Sequence, residues 1–224
     1  MKLAAFAAFI VFAFVAFVVW AGNPVSVSAA DGGRNISNIN GEITASPGET
    51  YGTLSTVNGG VTVGRGATAE AAKTVNGEIE VEDDARLGEV HTVNGALSIA
   101  EGVTIERSAS TVNGEVELGK RTHVGGDVST VSGEIELKGA EVGGGLSTSN
   151  GDIDLTDGAR VHGGIHVKKD NNKNWGRNKN DPVTVHICST CVVDGELRFE
   201  RPVELRVEQG AKIGQVTGDE VTRR

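Results

Sequence analysis

Three groups of side chains in this sequence could do chemistry. Carboxylates occur in pairs one residue apart: Glu78 and Glu80, Glu115 and Glu117, Glu134 and Glu136, Asp152 and Asp154. Two carboxylates in unlike environments can serve as acid and base on a glycosidic bond, and crowded carboxylate oxygens suit Ca²⁺. A second group is HICSTC at 186–191, where Cys188 and Cys191 could form a disulfide, act in redox exchange, or join His186 around a metal. The third is KKDNNKNWGRNKNDP at 168–182, in which Lys168, Lys169, Lys173, Arg177 and Lys179 surround Trp175. That stretch would suit an anionic glycan, a lipid headgroup or a partner protein, or serve only as a polar insertion.

The carboxylate pairs lie inside a recurring phrase. TVNGEIEV stands at 74–81, with close copies TVNGGVTV at 56–63, TVNGALSI at 92–99 and TVNGEVEL at 111–118. Looser copies are TVSGEIEL at 130–137, TSNGDIDL at 148–155 and INGEITA at 39–45. The glycines Gly41, Gly59, Gly77, Gly95, Gly114, Gly133 and Gly151 follow one another at 18 or 19 residues. A catalytic site needs one copy, whereas a stack needs many, so the phrase reads as a building unit. Short runs of alternating, often β-branched residues between Gly and Asn mark strands, and a period this short is that of a parallel β-helix.

Aliphatic residues stand two places after each Gly (Ile43 through Ile153), four places after it (Ala45 through Leu155) and two before it (Ile39, Val57, Val75, Val93, Val112, Val131). All three columns share one parity and are expected to face inward, together with Leu87, Val90, Val124, Val128, Val142 and Leu146. The glycines would sit at corners where no side chain fits. The preceding Asn residues would tolerate unusual backbone angles and bond one another in a ladder. On the outside, Glu115, Glu134 and Asp152 should form one line and Glu117, Glu136 and Asp154 another. Such lines keep a rod soluble and are weak Ca²⁺ candidates; no Ca²⁺-loop phrase accompanies them.

The chain has 224 residues, a net charge of −9 and 4% aromatics. The acidic balance argues against nucleic-acid binding, which needs phosphate neutralisation. Lys2, the apolar run at 3–21 and the small residues ending at Ala29 and Ala30 read as a signal peptide, or as an uncleaved anchor that would be the rod's contact with a membrane. Export puts the repeats in the periplasm or cell envelope, or in the medium, and makes a local disulfide between Cys188 and Cys191 the expected pairing if the chain turns at Ser189-Thr190. A redox CxxC lacks its strand-to-helix setting, and a zinc site lacks a clear fourth ligand. His91, His123, His162, His166 and His186 read as scattered surface residues.

The TVNGEIEV-type phrase, over about residues 39–167 and again over 193–216, resembles a family of exported bacterial β-strand-repeat proteins classed as adhesins, whose function is unknown. The resemblance implies a β-solenoid and carries no catalytic residues. The rung length is also similar to that of bactofilins, polymer-forming β-helix proteins, although those are usually cytoplasmic and this chain carries an export signal.

The expectation is therefore an all-β, single-stranded parallel β-helix of about 18 residues per coil. Its parts are a signal segment at 1–30, repeats at 31–167, an Asn/Lys-rich insertion at 168–182, terminal coils and a cap at 183–216, and a polar tail at 217–224. No GxSxG, Walker, HExxH or Rossmann phrase occurs. The functional expectation is a non-catalytic envelope module, adhesin-like or scaffolding, without cofactor, meeting an envelope glycan or protein. The alternatives are a self-polymerising filament subunit joined through open solenoid ends and, further off, a polysaccharide-active enzyme.

Overall fold

The computed structural model describes residues 33–169, 181–218 and 221–223, together with the backbone of 25–30. They form an all-β parallel solenoid of about nine turns with about 19 residues per turn. Each turn has three sides, two belonging to a 17-stranded sheet and the third to a ten-stranded sheet. At about 4.8 Å per turn the stack is roughly 40 Å long.

The repeated phrase builds the third side. Ile43, Val61, Ile79, Leu97, Val116, Ile135 and Ile153 pair in that order, all in parallel. They and the column from Ala45 to Leu155 are at most 3% exposed. Leu87, Val124 and Val142 fill the first side, and Val90, Val128 and Leu146 the second, all at most 1% exposed. Each such side chain contributes about 1.5–3 kcal/mol by leaving water. No single turn encloses this core, so the turns stabilise one another.

The third expected column does not point inward. Val57, Val75, Val93, Val112 and Val131 are half-buried, while the neighbouring Thr56, Thr74, Thr92, Thr111 and Thr130 are at most 4% exposed. The Asn-Gly corner resets the alternation, so parity does not carry through it. A buried hydroxyl needs a partner, and each Thr donates to a glycine carbonyl in the turn below: Thr74 to Gly59 at 2.8 Å, Thr92 to Gly77 at 3.0 Å, Thr111 to Gly95 at 3.0 Å.

The same carbonyls explain the glycines. A Cβ on Gly77 would lie 2.0 Å from the Gly59 oxygen, and one on Gly95 1.9 Å from the Gly77 oxygen. Close vertical approach, not left-handed backbone, imposes glycine at Gly77, Gly95, Gly114 and Gly151, none of which has positive φ. The asparagines form the expected ladder. Asn58 donates to Asn40 at 3.0 Å, and Asn76, Asn94 and Asn113 each donate to the Asn below at 2.9 Å. None of them takes an unusual backbone angle; among the described residues, the non-glycine positions with positive φ are Asp84, Arg121 and Asp157.

Beyond Leu155 the stack continues around an insertion. Thr156, Val161 and Gly164–Val167 complete one turn, and Val183–Ile187 resumes the third side, with Asp154 and His186 bonded 32 residues apart. Arg201, 7% exposed, sits across this gap and donates to the carbonyls of Ser149 and Asp181 and to the Asn150 amide oxygen. VDGELRF at 193–199 is not a copy of the third-side phrase. It lies over VHGGIHV on the first two sides. At the C-terminal end the terminal coils continue the stack: Lys212–Ile213 and Val216–Gly218 join the larger sheet, and Val221–Arg223, within the stretch read as a polar tail, joins the ten-stranded one.

At the opposite end, β1 (Val25–Ala30) pairs with β2 (Gly33–Asn38). The expected signal segment at 1–30 otherwise lies outside the described residues. Among those described, no helix is long and apolar enough to cross a membrane.

Candidate functional site

The two outer acidic lines form on the third side as the columns require. Glu117, Glu136 and Asp154 are in register, and the residues just before them, Glu115, Glu134 and Asp152, stack beside the corner. Partial burial, and then the charges of Glu115, Asp152, Glu136 and Asp154, push the Glu134 carboxyl above its ordinary range. Elsewhere the like charges are relieved by the chain itself. Lys138 places its ammonium 2.6 Å from Glu117 and 3.1 Å from Glu136. Hydrogen bonds to those carboxylates hold the ammonium well above the usual lysine range. Glu115, Glu117 and Glu136 present oxygens within 4.8 Å of one another, the arrangement a divalent cation would use. Lys138 already supplies positive charge to two of the three.

Further along the same line His186 bridges two carboxylates, Asp154 at 2.7 Å and Glu208 at 3.2 Å. His162 on the first side does the same, with Glu141 and Asp194 each at 2.8 Å. His166 meets Glu200 at 3.0 Å, and Arg198 reaches the same carboxylate at 2.9 Å. A ring with both nitrogens on carboxylates favours the imidazolium, which donates twice. Accordingly the bond to Glu141 raises the pKa of His162, and the bond to Asp154 raises that of His186. Glu141, bonded to His162, and Glu208, bonded to the Ser189 amide and to His186, are lowered. His91 is the opposite case: burial lowers it against the pull of Glu89.

His162, His166 and His186 each lie one turn from a carboxylate partner, whereas His91 meets Glu89 on its own strand. The alignment of VHGGIHV with VDGELRF carries the signal for His162, since it sets that ring beside Asp194. The insertion at 168–182 displaces the period and hides that alignment from a fixed spacing of 18 or 19.

Cys188 and Cys191 are joined in a disulfide with their Cα atoms 5.1 Å apart. The chain turns at Ser189-Thr190, and the Cys191 amide donates to the Cys188 carbonyl at 3.0 Å. The thiols are therefore not offered to a metal, and the His186 ring faces outward to its carboxylates.

No family model, no curated protein and no solved structure matches the chain. Function must be argued from these side chains alone. Of the basic stretch, Lys168 and Lys169 are placed: the Lys168 ammonium donates to Ser147 at 3.1 Å and the Lys169 amide to Glu200 at 3.4 Å. Lys173, Trp175, Arg177 and Lys179 lie outside the described residues. An open groove beside the acidic side is lined by Arg65, Glu82, Asp83, Glu101, Lys120 and Lys138. Several of its charges are already paired, Arg65 with Asp83 at 2.6 Å, Lys138 with Glu117 at 2.6 Å, Lys120 with Asp157 at 2.9 Å and Glu101 with Arg121 at 3.1 Å.

Proposed function

We propose that this chain is a non-catalytic structural module of the cell envelope, adhesin-like or scaffolding, exported by its N-terminal apolar segment. The observation that carries the reading is the repetition of one corner, in which Asn bonds Asn, Gly packs on Gly, and Thr bonds that same Gly carbonyl of the neighbouring turn. Chain length is spent on a straight, regular rod. Acid–base catalysis needs two groups in unlike settings with room for substrate between them. Here the carboxylates stand in lines, and the groups best suited to proton transfer, His162 and His186, are each held between two counterions. The partner is then an envelope glycan or protein meeting an outer face, with no cofactor required, and Ca²⁺ along the acidic lines is a secondary element of this reading.

The test has two arms. Fractionation with N-terminal sequencing should find the rod outside the cytoplasm. A screen of envelope and extracellular polysaccharides should show no depolymerisation by the purified protein. Turnover that disappears in Glu115→Gln or Glu134→Gln would replace the scaffold reading with an enzyme.

A filament subunit is the second reading. It is favoured by the last turn, whose strands are paired on one edge only among the described residues.

A further inference from the structure

The two ends of the rod differ. At the C-terminal end Ile213, Val216 and Val221 are half-buried, although the same columns are at most 1% exposed one turn earlier at Val193, Leu197 and Val203. Among the described residues their strands are paired on one edge only, and such an edge readily adds a strand from another chain. At the N-terminal end the edge of the larger sheet is taken, whereas Ile43–Ala45, the last strand of the ten-stranded sheet, is paired on one edge only among the described residues. Residue for residue, Val25 to Ala30 of β1 lie against Asn38 to Gly33 of β2. Every other strand pairing among the described residues is parallel; this one is antiparallel. Continuing the stack from below would require a parallel strand against β2, with the inward columns kept in line. On the second side that column runs from Ile36 and Leu54 at one end to Leu197 and Val216 at the other. An antiparallel strand on β2 occupies the place such a continuation would use.

We propose that β1 is a removable plug: while it is attached the larger sheet is closed at the N-terminal end of the rod, and its removal opens that edge to the C-terminal turn of a second copy of this chain. Val216 of one copy would then stack on Ile36 of the next. The contact is head-to-tail, so it grows into a filament instead of closing as a dimer. The sequence offers the means of removal. Cleavage after Ala29 or Ala30, where the small residues suit a signal peptidase, severs β1 from β2. Export and the opening of the edge would then be one event. The inference gives the envelope scaffold a mode of assembly, and it rests on that reading only for the identity of the protease.

The experiment uses the full chain in detergent, with a specific protease site introduced between residues 30 and 33 and cut only after folding. Sedimentation before the cut should report a single monomeric species. After it, the fragment carrying β1 should leave and the weight-average mass should at least double as concentration rises. Release of the fragment without association overturns the proposal, and so does retention of the fragment. A second protein adds Val216→Pro and Thr217→Pro. Successive residues of a strand turn their N–H groups to opposite edges, so one of the two prolines removes a donor from the open edge. This protein should remain monomeric after the cut, and continued association would place the contact elsewhere. Because the readout is the mass of purified protein, failure here leaves the envelope reading standing, and failure of fractionation leaves the assembly result standing.

Discussion

The Thr74 hydroxyl donates to the Gly59 carbonyl at 2.8 Å, and that same oxygen stands 2.0 Å from where a Cβ on Gly77 would be. One oxygen thus accounts for two letters of the repeated phrase. Gly77→Ala forces two turns apart at backbone that is bonded on both sides. It should cost at least about 2 kcal/mol, read from the urea midpoint. Gly48→Ala is the contrast. Nothing lies within 4 Å of its Cβ position, and only the strain of φ +71° opposes it, about 1 kcal/mol. Equal losses at the two sites would refute the close-approach account.

The asparagine ladder makes a position-dependent forecast. Asn76 donates to Asn58 and accepts from Asn94, both at 2.9 Å. Asn76→Asp keeps the acceptor, loses the donor, and sets two oxygens against each other, at a cost of about 1–3 kcal/mol. Asn40 ends the ladder and accepts only, so Asn40→Asp should stay within about 0.5 kcal/mol. Chemical denaturation of the two variants side by side checks the ordering.

The two halves of the rod should respond to pH in opposite directions. His162 and His186 have raised values when folded, so their contribution is complete below the ordinary histidine pKa of 6.5. It is lost as pH rises through the raised values. Glu141 and Glu208 are lowered, so their part is lost only in strong acid, as pH falls through those lowered values. His91 is lowered, so its neighbourhood weakens as pH falls below 6.5. Hydrogen exchange by mass spectrometry between pH 5 and 8 should show protection declining with rising pH around 153–208 and with falling pH around 86–110. His162→Gln with His186→Gln should flatten the first trend and leave the second untouched.

The disulfide closes a short loop between Cys188 and Cys191, both largely buried. Cys191→Ser should lower stability by about 2 kcal/mol on the chain-entropy model, which is small for so short a loop. A thiol reagent should label no cysteine in the native protein until a reductant is added. Labelling without reductant would show that the pair is not formed.

Much of the fold was legible because the core columns at Gly+2 and Gly+4 are chemically uniform, from Ile43 to Ile153 and from Ala45 to Leu155. The Asn ladder was legible for the same reason, since identical side chains at an even spacing meet when the turns stack. The buried threonines were not. Parity counting runs through Asn-Gly as though the strand were straight, and it assigned Val57, Val75 and Val93 to the interior. The bend puts Thr56, Thr74 and Thr92 there instead.

The sequence by itself determined the parallel stack, its rung length and its acidic third side, since each follows from the spacing of like residues along the chain. Only the tertiary structure decided which residues cross between turns after the insertion. His162 with Asp194, His186 with Asp154, and Arg201 with Ser149 all depend on how the insertion is taken up between turns. The antiparallel seat of β1 was likewise closed to sequence reasoning. Its pairing is set by what the end of the stack leaves unbonded, and the residues of β1 belong to no repeat.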